Sequence, residues 1–430
     1  MANQKFSDFT NQAPGASTYV VGYDGATNVR MLASDIGSSG GILGIADATG
    51  TYTYYNTIAD ANAAAGIGDT IEFFADINET NGVQWSLKDG VKYNLNGHTY
   101  TLDVATTESA VVDSGLGTGE THIFNGIIKR ASGANSANHS FVLYSTSTGK
   151  IKLESVHLIN PNGWCTRVNS AKLDGGIHEA QGSGTAIYIL NNGAEVKNVR
   201  ALASSLTIYC ASGMVVNSYA YSQNNKGIRA FSSAAEIINC VAYSNADSAI
   251  EIQNNGGKAI GCTGYSTASS GLSGVGTFVN CTAYSAAGSA FIALNGARVI
   301  GCDIYGKSVG LQLLSLPSTD TLIQNCSIKA DGSQAVVAYW GGTFLNCSVE
   351  GAPLTYGDCF IVGSGGSDVR IFGCSMKVRN ASAECLTAGA ATTTYYGNNI
   401  FAGNPTLAVN TNITQGQTSN HDTVGNIEVD

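Results

Sequence analysis

The chain has 430 residues and a formal net charge of −10, and charged residues make up 12% of it. Globular proteins contain roughly 25% charged residues, so a chain with so few of them, with 53 Gly and 5 Pro, is expected to be rich in packed sheet and turns. The negative charge excludes a basic surface for nucleic acid. No apolar run is long enough for membrane insertion.

The first 41 residues are predicted to form a short segment distinct from the rest. Residues 18–23 and 28–32 alternate as strands do, and Asp24-Gly25 between them is a hairpin signal. The segment is too small for a hydrophobic core of its own, so we expect it to pack on a copy of itself or on a partner. A run of Gly and Ser at 37–41 predicts a flexible joint.

Residues 42–105 are predicted to cap one end of the repeat that follows them. Thr57 can cap a short helix in which Ile58 and Ala61 share one face. The open end of a solenoid exposes its core and its strand edges, so a terminal cover is physically required.

A short word returns between residues 217 and 376, at intervals of 19 to 27 residues. It begins with Asn or Gly, continues in nearly every copy with Cys, and then alternates, as in Asn239-Cys240-Val241-Ala242-Tyr243-Ser244. Asn and Gly tolerate the left-handed backbone conformation, which predicts a sharp bend in each copy. Apolar residues alternate on both sides of the bend and indicate strands. A drifting period of about twenty residues with such strands predicts a parallel β-helix.

The same kind of bend can be followed outside the most regular region. The earlier bends are predicted at Asn96, Asn125, Ser155, Gly175 and Val199. About thirteen or fourteen coils result, in a rod on the order of 60 Å long at the usual strand spacing. We expect the β-helix to occupy residues 106–403. The polar residues 404–430 are expected to form a tail that either covers its lower end or ties chains together.

Seven cysteines of the repeat occupy one inward position: Cys240, Cys262, Cys281, Cys302, Cys326, Cys347 and Cys374. Stacked Cβ atoms lie about 4.8 Å apart, farther than the roughly 3.8 Å of a disulfide. We therefore expect reduced thiols in the core. No run of Asp or Glu falls at the bends of successive coils, so we expect no metal site and no cofactor.

A long projecting loop is predicted within residues 160–185. Its candidate site residues are Trp164, Arg167, Asp174, His178 and Glu179. An aromatic ring, a base, acids and a cation in one loop could form a glycan site, with Asp174, His178 and Glu179 as the catalytic candidates. A plain polar loop on the rod is the alternative.

A column of tyrosines is the second candidate site. Each ring follows an inward residue of the word by one position: Tyr221, Tyr243, Tyr265, Tyr284 and Tyr305. Stacked rings could form a ladder that stiffens the turns, an interface between subunits, or a platform for sugars, and these roles are compatible with one another.

Two carboxylates on the mid-rod strands are predicted to be paired with cations of the next coil. Glu236 is expected beside Lys258, and Glu251 beside Arg229, as cross-strand ion pairs. A neighbouring cation lowers the pKa of a carboxyl group, so we expect both glutamates to be poor general acids. This favours binding of a glycan over its cleavage.

Two parts of the chain resemble known families. Thr57-Ile58, Gly68-Asp69-Thr70-Ile71 and residues 91–102 are similar to the opening of right-handed β-helix proteins of the pectate-lyase-like superfamily. Residues 6–9 and 19–36 resemble the N-terminal attachment pieces of phage tail fibres and tailspikes. Together these resemblances imply an all-β, right-handed parallel β-helix in a virion rod that meets a host surface, usually as a homotrimer.

The function implied is that of a structural virion protein, a tail fibre or tailspike, that mediates adsorption to a host-surface glycan or receptor. Its partners would be further copies of the chain, tail or baseplate proteins bound through the N-terminus, and host-surface polysaccharide. A polysaccharide depolymerase of the same fold, lyase or glycosidase, is one alternative, and a non-viral surface adhesin is another. The start, from Met1 to Lys5, lacks the apolar region of a secretory signal peptide, which favours assembly in a host cytoplasm.

Overall fold

The computed structural model describes residues 41–103, 109–113, 116–117, 119–131, 141–145, 150–191, 193–314, 320–339, 341–353, 358–362, 369–380, 383–387 and 398–402 with their side chains. For residues 19–24, 27–32, 388, 394–397, 409–410 and 427–429 it describes the backbone alone. Most of these residues form short strands wound into coils, and each strand pairs in parallel with the corresponding strand of the next coil. The predicted all-β, right-handed parallel β-helix is confirmed. We call its three parallel sheets A, B and C.

Sheets A and B are joined by the sharp bend of each coil, and the two long strands Glu120–Arg130 and Lys150–Asn160 run through both of them. The other strands of sheet A are Thr70–Phe73, Lys92–Asn94, Ala171–Asp174, Glu195–Lys197, Gly213–Val216, Ala235–Ile238, Lys258–Ile260, Thr277–Val279, Arg298–Ile300, Leu322–Gln324, Gly342–Leu345, Val369–Phe372 and Thr394–Gly397. The other strands of sheet B are Ile77–Glu79, Thr99–Leu102, Ile177–Ala180, Arg200–Ala203, Tyr219–Ser222, Val241–Ser244, Thr263–Ser266, Thr282–Ser285, Asp303–Gly306, Ser327–Ala330, Ser348–Glu350, Ser375–Lys377, Ile400–Ala402 and Ile427–Val429.

Sheet C closes each coil and contains 15 strands. They are Trp85–Ser86, Val111–Asp113, Leu143–Ser145, Thr166–Val168, Ile187–Ile189, Ile208–Cys210, Ile228–Ala230, Ile250–Ile252, Leu272–Gly274, Ser289–Leu294, Val309–Leu314, Val336–Ala338, Phe360–Val362, Leu386–Ala388 and Val409–Asn410. Inward side chains of the three sheets meet in one continuous apolar core that runs along the rod.

A cap precedes the coils. Leu43–Ala46 pairs antiparallel with Tyr52–Tyr55 and with the first strand of sheet A. The helix Ile58–Ala64 begins after Thr57, whose side-chain oxygen accepts a hydrogen bond from the backbone N–H of Asp60 at 3.1 Å. The helix lies against both cap strands and covers the first coil, which is the arrangement that the sequence predicts.

The bends between sheets A and B are made by residues with positive φ in the described coils. These are Asn96, Asn125, Ser155, Gly175, Asn198, Asn217, Asn239, Gly261, Asn280, Gly301, Asn325, Asn346, Gly373 and Asn398. Glycine at one of these bends also avoids a close contact, because a Cβ atom on Gly261 would lie 2.5 Å from Oδ1 of Asn239. The predicted bends are confirmed, with the one expected near Val199 centred on Asn198.

The cysteine column lies inside the rod directly after the bends. Cys281 is typical: it is buried, and its Sγ lies 3.4 Å from the carbonyl oxygens of both Val279 and Ala259. The thiol thus donates weakly to carbonyl groups at the bend of its own coil and of the preceding one. All 11 cysteines are buried free thiols, so the predicted inward position of the column is confirmed.

The predicted domain boundaries fall largely on residues that the structure does not describe. In the segment 1–41, Tyr19–Asp24 pairs antiparallel with Thr27–Leu32, as expected for a hairpin. In the tail 404–430, the two described strands extend sheets C and B: Val409–Asn410 pairs in parallel with Leu386–Ala388, and Ile427–Val429 with Ile400–Ala402. An attachment role for the first segment and a covering role for the tail stay predictions.

Candidate functional site

Residues 160–185 do not form the projecting loop that we expected. Thr166–Val168, Ala171–Asp174 and Ile177–Ala180 are strands of sheets C, A and B. Along each strand the side chains alternate between the core and the outer face. Because one coil wraps around the whole rod, the five candidate side chains of this stretch are distributed over the core and three outer faces.

His178 is a core residue, which corrects its prediction as a catalytic candidate. Its side chain is fully buried, and its Nδ1 lies 2.9 Å from Oγ1 of Thr166. Its Nε2 has no hydrogen-bond partner within the described part of the chain. Burial lowers the pKa of His178 to about 3, with a further contribution from His157, so the ring is neutral at pH 7.

Asp174 and Glu179 both point outward, but from different sheets. Asp174 ends a strand of sheet A, where its Oδ1 accepts a hydrogen bond from Nδ2 of Asn198 at 2.8 Å. Glu179 stands on the outer face of sheet B, where its Oε1 accepts a hydrogen bond from Nε2 of Gln181 at 2.6 Å. The structure therefore does not assemble the three catalytic candidates at one point.

The predicted tyrosine column forms a ladder of stacked rings on the outer face of sheet B. The backbone register places each ring directly next to that of the following coil. From Tyr221 to Tyr305, successive ring centroids are 5.5, 4.5, 4.5 and 5.4 Å apart, and the middle rings are 10° to 12° from parallel. Inside the ladder the ring faces therefore cover one another.

The ladder is closed at one end and open at the other. At the lower end the Tyr305 hydroxyl donates a hydrogen bond to Asp331, which also accepts one from Lys307 at 3.0 Å. The hydrogen bonds from Tyr305, Arg379 and Lys307 hold the pKa of Asp331 well below its usual range. At the upper end the next residue in the column is Leu202, so the upper face of Tyr221 meets no further ring.

A groove of about 520 Å³ opens beside this upper end. Its polar and aromatic lining consists of Glu179, Gln181, Arg200, Ser204, Tyr219, Tyr221 and Gln223, and Leu202 is part of its apolar lining. Arg200 lies over the ring of Tyr219, with its guanidinium carbon 5.8 Å from the ring centroid. Ring faces, amides, one cation and one carboxylate in a shallow groove are the groups that sugar-binding sites use.

The groove joins two sets of residues that sequence reasoning treated separately. Glu179 came from the expected loop and Tyr221 from the tyrosine column, and the register of sheet B brings them together across Leu202. Arg200 and Tyr219 were missed, although Tyr219 stands two positions before Tyr221 in the first copy of the repeated word.

A second aromatic surface lies on the outer face of sheet C, and we call it the sheet C strip. It consists of Tyr144, Trp164, Arg167, Tyr188, Tyr209 and Phe231, and the buried ring of Phe141 packs against Tyr144 and Trp164. The rings of Tyr188 and Tyr209 stack at 4.4 Å and 7°, whereas Trp164 is tilted by 56° against Tyr188. The candidates Trp164 and Arg167 thus belong to this strip and not to the groove. The alternation in Ile187-Tyr188-Ile189 was the available signal for the missed tyrosines.

Both predicted cross-strand ion pairs are present, at 2.9 Å for Glu236 with Lys258 and 3.0 Å for Glu251 with Arg229. The pKa predicted for Glu251 is wrong, however. Burial raises the pKa of Glu251 and outweighs the opposite effects of Lys226 and Arg229.

Asp247 lies beside Glu251, since Nζ of Lys226 bonds to the carboxylate of Asp247 and lies 3.8 Å from Oε1 of Glu251. Burial alone would raise the pKa of Asp247, but hydrogen bonds from Lys226 and from the Ser248 backbone lower it. One cation therefore joins two carboxyl groups whose pKa values are shifted in opposite directions. Sequence reasoning missed this pair because Asp247 stands in the turn between sheets B and C.

The described residues contain no group of three His, Cys, Asp or Glu side chains that could hold a metal ion. Within the same part of the chain, no helix has the length and apolar character needed to cross a membrane.

Comparison with known proteins agrees with the fold. The family model described as the right-handed beta helix region matches residues 232–375. No curated protein matches the sequence. A tailspike protein mutant of E. coli bacteriophage HK620, in complex with a pentasaccharide, is similar with a TM-score of 0.47 and 10% identity over 89% of this chain and 82% of that chain.

Two further structures share the fold. The A-module of the mannuronan C-5 epimerase AlgE6 of Azotobacter vinelandii has a TM-score of 0.33 and 13% identity, over 86% of this chain and 93% of that one. The receptor binding domain of the Siphovirus 9NA tailspike has a TM-score of 0.32 and 13% identity, over 84% of this chain and 76% of that one.

Proposed function

We propose that this chain is a phage tail fibre or tailspike protein that assembles as a homotrimer and binds a host-surface glycan through the groove on sheet B. The observation that carries the proposal is the open end of the tyrosine ladder. Tyr221 is the last ring of the ladder on this side: Tyr243 stacks on one of its faces, Leu202 is its other neighbour in the column, and its ring lines the groove. A sugar can pack against the part of this ring that lines the groove.

The polar lining of the groove supports recognition of hydroxyl groups. Gln181 and Gln223 offer amide donors and acceptors, and Arg200 offers a fixed guanidinium above Tyr219. Glu179 is the one carboxylate among the described lining residues. Cleavage of a glycosidic bond usually requires two carboxyl groups flanking it, so this groove suits binding better than hydrolysis. Weak single sites are sufficient for adsorption when several copies act together.

Binding of purified protein to host-surface polysaccharide tests the proposal. The variant Tyr221→Ala should weaken binding by about tenfold or more, because it removes the ring of the ladder that lines the groove. The matched control is Tyr265→Ala, which removes a ring of the same ladder that is covered on both sides at 4.5 Å. Equal binding by both variants and the wild type would refute the groove as the site.

A second candidate function, depolymerisation of the glycan, is favoured by Asp247 and Glu251. Glu251 has a raised pKa and Asp247 a lowered one, and such a division is typical of the acid and the base or nucleophile in glycoside hydrolases. The same incubations can be followed for new reducing ends and for absorbance from new double bonds. Release of oligosaccharides that is abolished by Glu251→Gln and by Asp247→Asn would establish this activity, and release abolished by Glu179→Gln would place it in the groove instead.

Attachment to the particle is assigned to residues 1–41 in this proposal. The segment is too short for a core of its own and is followed by a glycine-rich joint. A chain that starts at Gly41 should still form the rod, measured by circular dichroism and thermal unfolding, but should be missing from purified virions. Its normal incorporation into virions would rule this role out.

A further inference from the structure

Arg167 stands at the centre of the sheet C strip, between Tyr144 and Tyr188 in the outward column of that sheet. Its guanidinium carbon lies 5.3 Å from the ring centroid of Tyr144 and 5.8 Å from that of Phe141. Rings that stack on a guanidinium hold its plane in place and leave its edge, with the N–H donors, free to bind another group.

The charge of Arg167 is not neutralised within the described part of the chain. No ion pair joins it to a described carboxylate, and its buried Nε has no hydrogen-bond partner there. The residue is half-buried, so its terminal nitrogens are the part that solvent reaches. Arg229, farther along the same column, has Glu251 at 3.0 Å and differs in this respect. The strip thus contains an oriented cation that no carboxylate among the described residues neutralises.

We propose that the sheet C strip binds an acidic sugar, such as a hexuronic acid, whose carboxylate pairs with Arg167. A planar guanidinium binds a carboxylate through two parallel hydrogen bonds. The rings of Trp164 and Tyr188, 5.3 Å apart and tilted by 56°, would receive the apolar face of the sugar.

Charge complementarity decides between an acidic and a neutral sugar. The chain as a whole carries a net charge of −10 and repels anions. An anionic ligand is therefore expected to bind favourably only where an unpaired cation is available. This site lies on sheet C and does not depend on the groove of sheet B, so either proposal can fail without the other.

Calorimetric titration of the full chain with a galacturonic acid trisaccharide, and with the neutral galactose trisaccharide, tests this inference. The wild type should bind the acidic sugar and not the neutral one. Arg167→Gln should weaken binding of the acidic sugar by about tenfold or more, and Arg167→Lys by less, because lysine keeps the charge but loses the planar pair. The control is Arg298→Gln, which removes an exposed cation on the outer face of sheet A and should leave this binding unchanged.

Each contrary result overturns the proposal in a different way. Equal binding of the two trisaccharides would show that charge has no part in recognition. Loss in Arg200→Gln, which removes the cation of the sheet B groove, with none in Arg167→Gln would move the acidic sugar to that groove. Absence of binding to the galacturonate probe and to N-acetylneuraminic acid at millimolar concentration would refute an acidic-sugar site. Thermal unfolding of each variant shows whether a loss of binding reflects a loss of fold.

Discussion

The inner and outer columns of sheet B run side by side through the same coils and follow different rules. The inner column, from His178 to Ile304, contains His, Ala, Gly and Ile, residues of different size that fit the space at each level. The outer column repeats one residue from Tyr221 to Tyr305. Core packing does not require tyrosine on an outer face. We therefore infer that tyrosine is repeated there because its rings stack on one another and line the groove at one end of the ladder.

A charge placed in the interior should have the largest effect. Cys281 is 1% exposed, with its Sγ 3.4 Å from two carbonyl oxygens. Cys281→Asp would bury an unpaired carboxylate against these oxygens and should lower the free energy of unfolding by several kcal/mol, measured by urea titration. Cys281→Ala removes only the thiol and should cost about 1 kcal/mol. Equal urea midpoints for the two variants would contradict the inward position.

The next largest effect is expected in the pH dependence of stability, through His178 in the inner column of sheet B. The pKa of His178 is about 3 in the folded protein, against about 6.5 in the unfolded chain. Between these values the unfolded state binds a proton that the folded state does not, so stability falls as the pH drops from about 6.5 toward about 3.

This contribution has a slope of up to about 1.4 kcal/mol per pH unit. In His178→Gln it is absent, so the free energy of unfolding should fall less than in the wild type between about pH 6.5 and about pH 4. Urea titrations at a series of pH values measure the two slopes. Parallel curves for the wild type and the variant would show that the ring is not buried in its neutral form.

The periodic part of the molecule was predictable because a solenoid keeps its register. Where the word recurs, counting residues is sufficient to align coils, and the bends, the inward cysteines and the stacking of Tyr221 on Tyr243 follow from it. The sheet C strip was not found, because Tyr188 and Tyr209 are separated from the word by turns of varying length and recur only briefly.

The irregular coil around residues 160–185 was mistaken for a loop for a related reason. It carries no copy of the word, and in the coil before it the long strand Lys150–Asn160 runs through the bend at Ser155 without a break. The raised pKa of Glu251 could not be predicted from the sequence either. It depends on how deeply the turn that carries Asp247 buries the carboxyl group, and a charge pair read from register alone gives no measure of burial.

The smallest expected effect is on the stability of the ladder variants Tyr221→Ala and Tyr265→Ala. Tyr221→Ala should weaken polysaccharide binding more, whereas Tyr265→Ala should lower the free energy of unfolding more. Tyr265 is stacked on both sides at 4.5 Å, whereas Tyr221 has one neighbouring ring at 5.5 Å. An aromatic pair contributes about 1 kcal/mol beyond its buried area, so Tyr265→Ala should lower the free energy of unfolding more than Tyr221→Ala does. Urea titration of both variants, beside their binding to polysaccharide, measures the two orders. If Tyr221→Ala is the more damaging in both, its loss of binding reflects a damaged fold rather than a missing contact, and the outer column has no separate binding role.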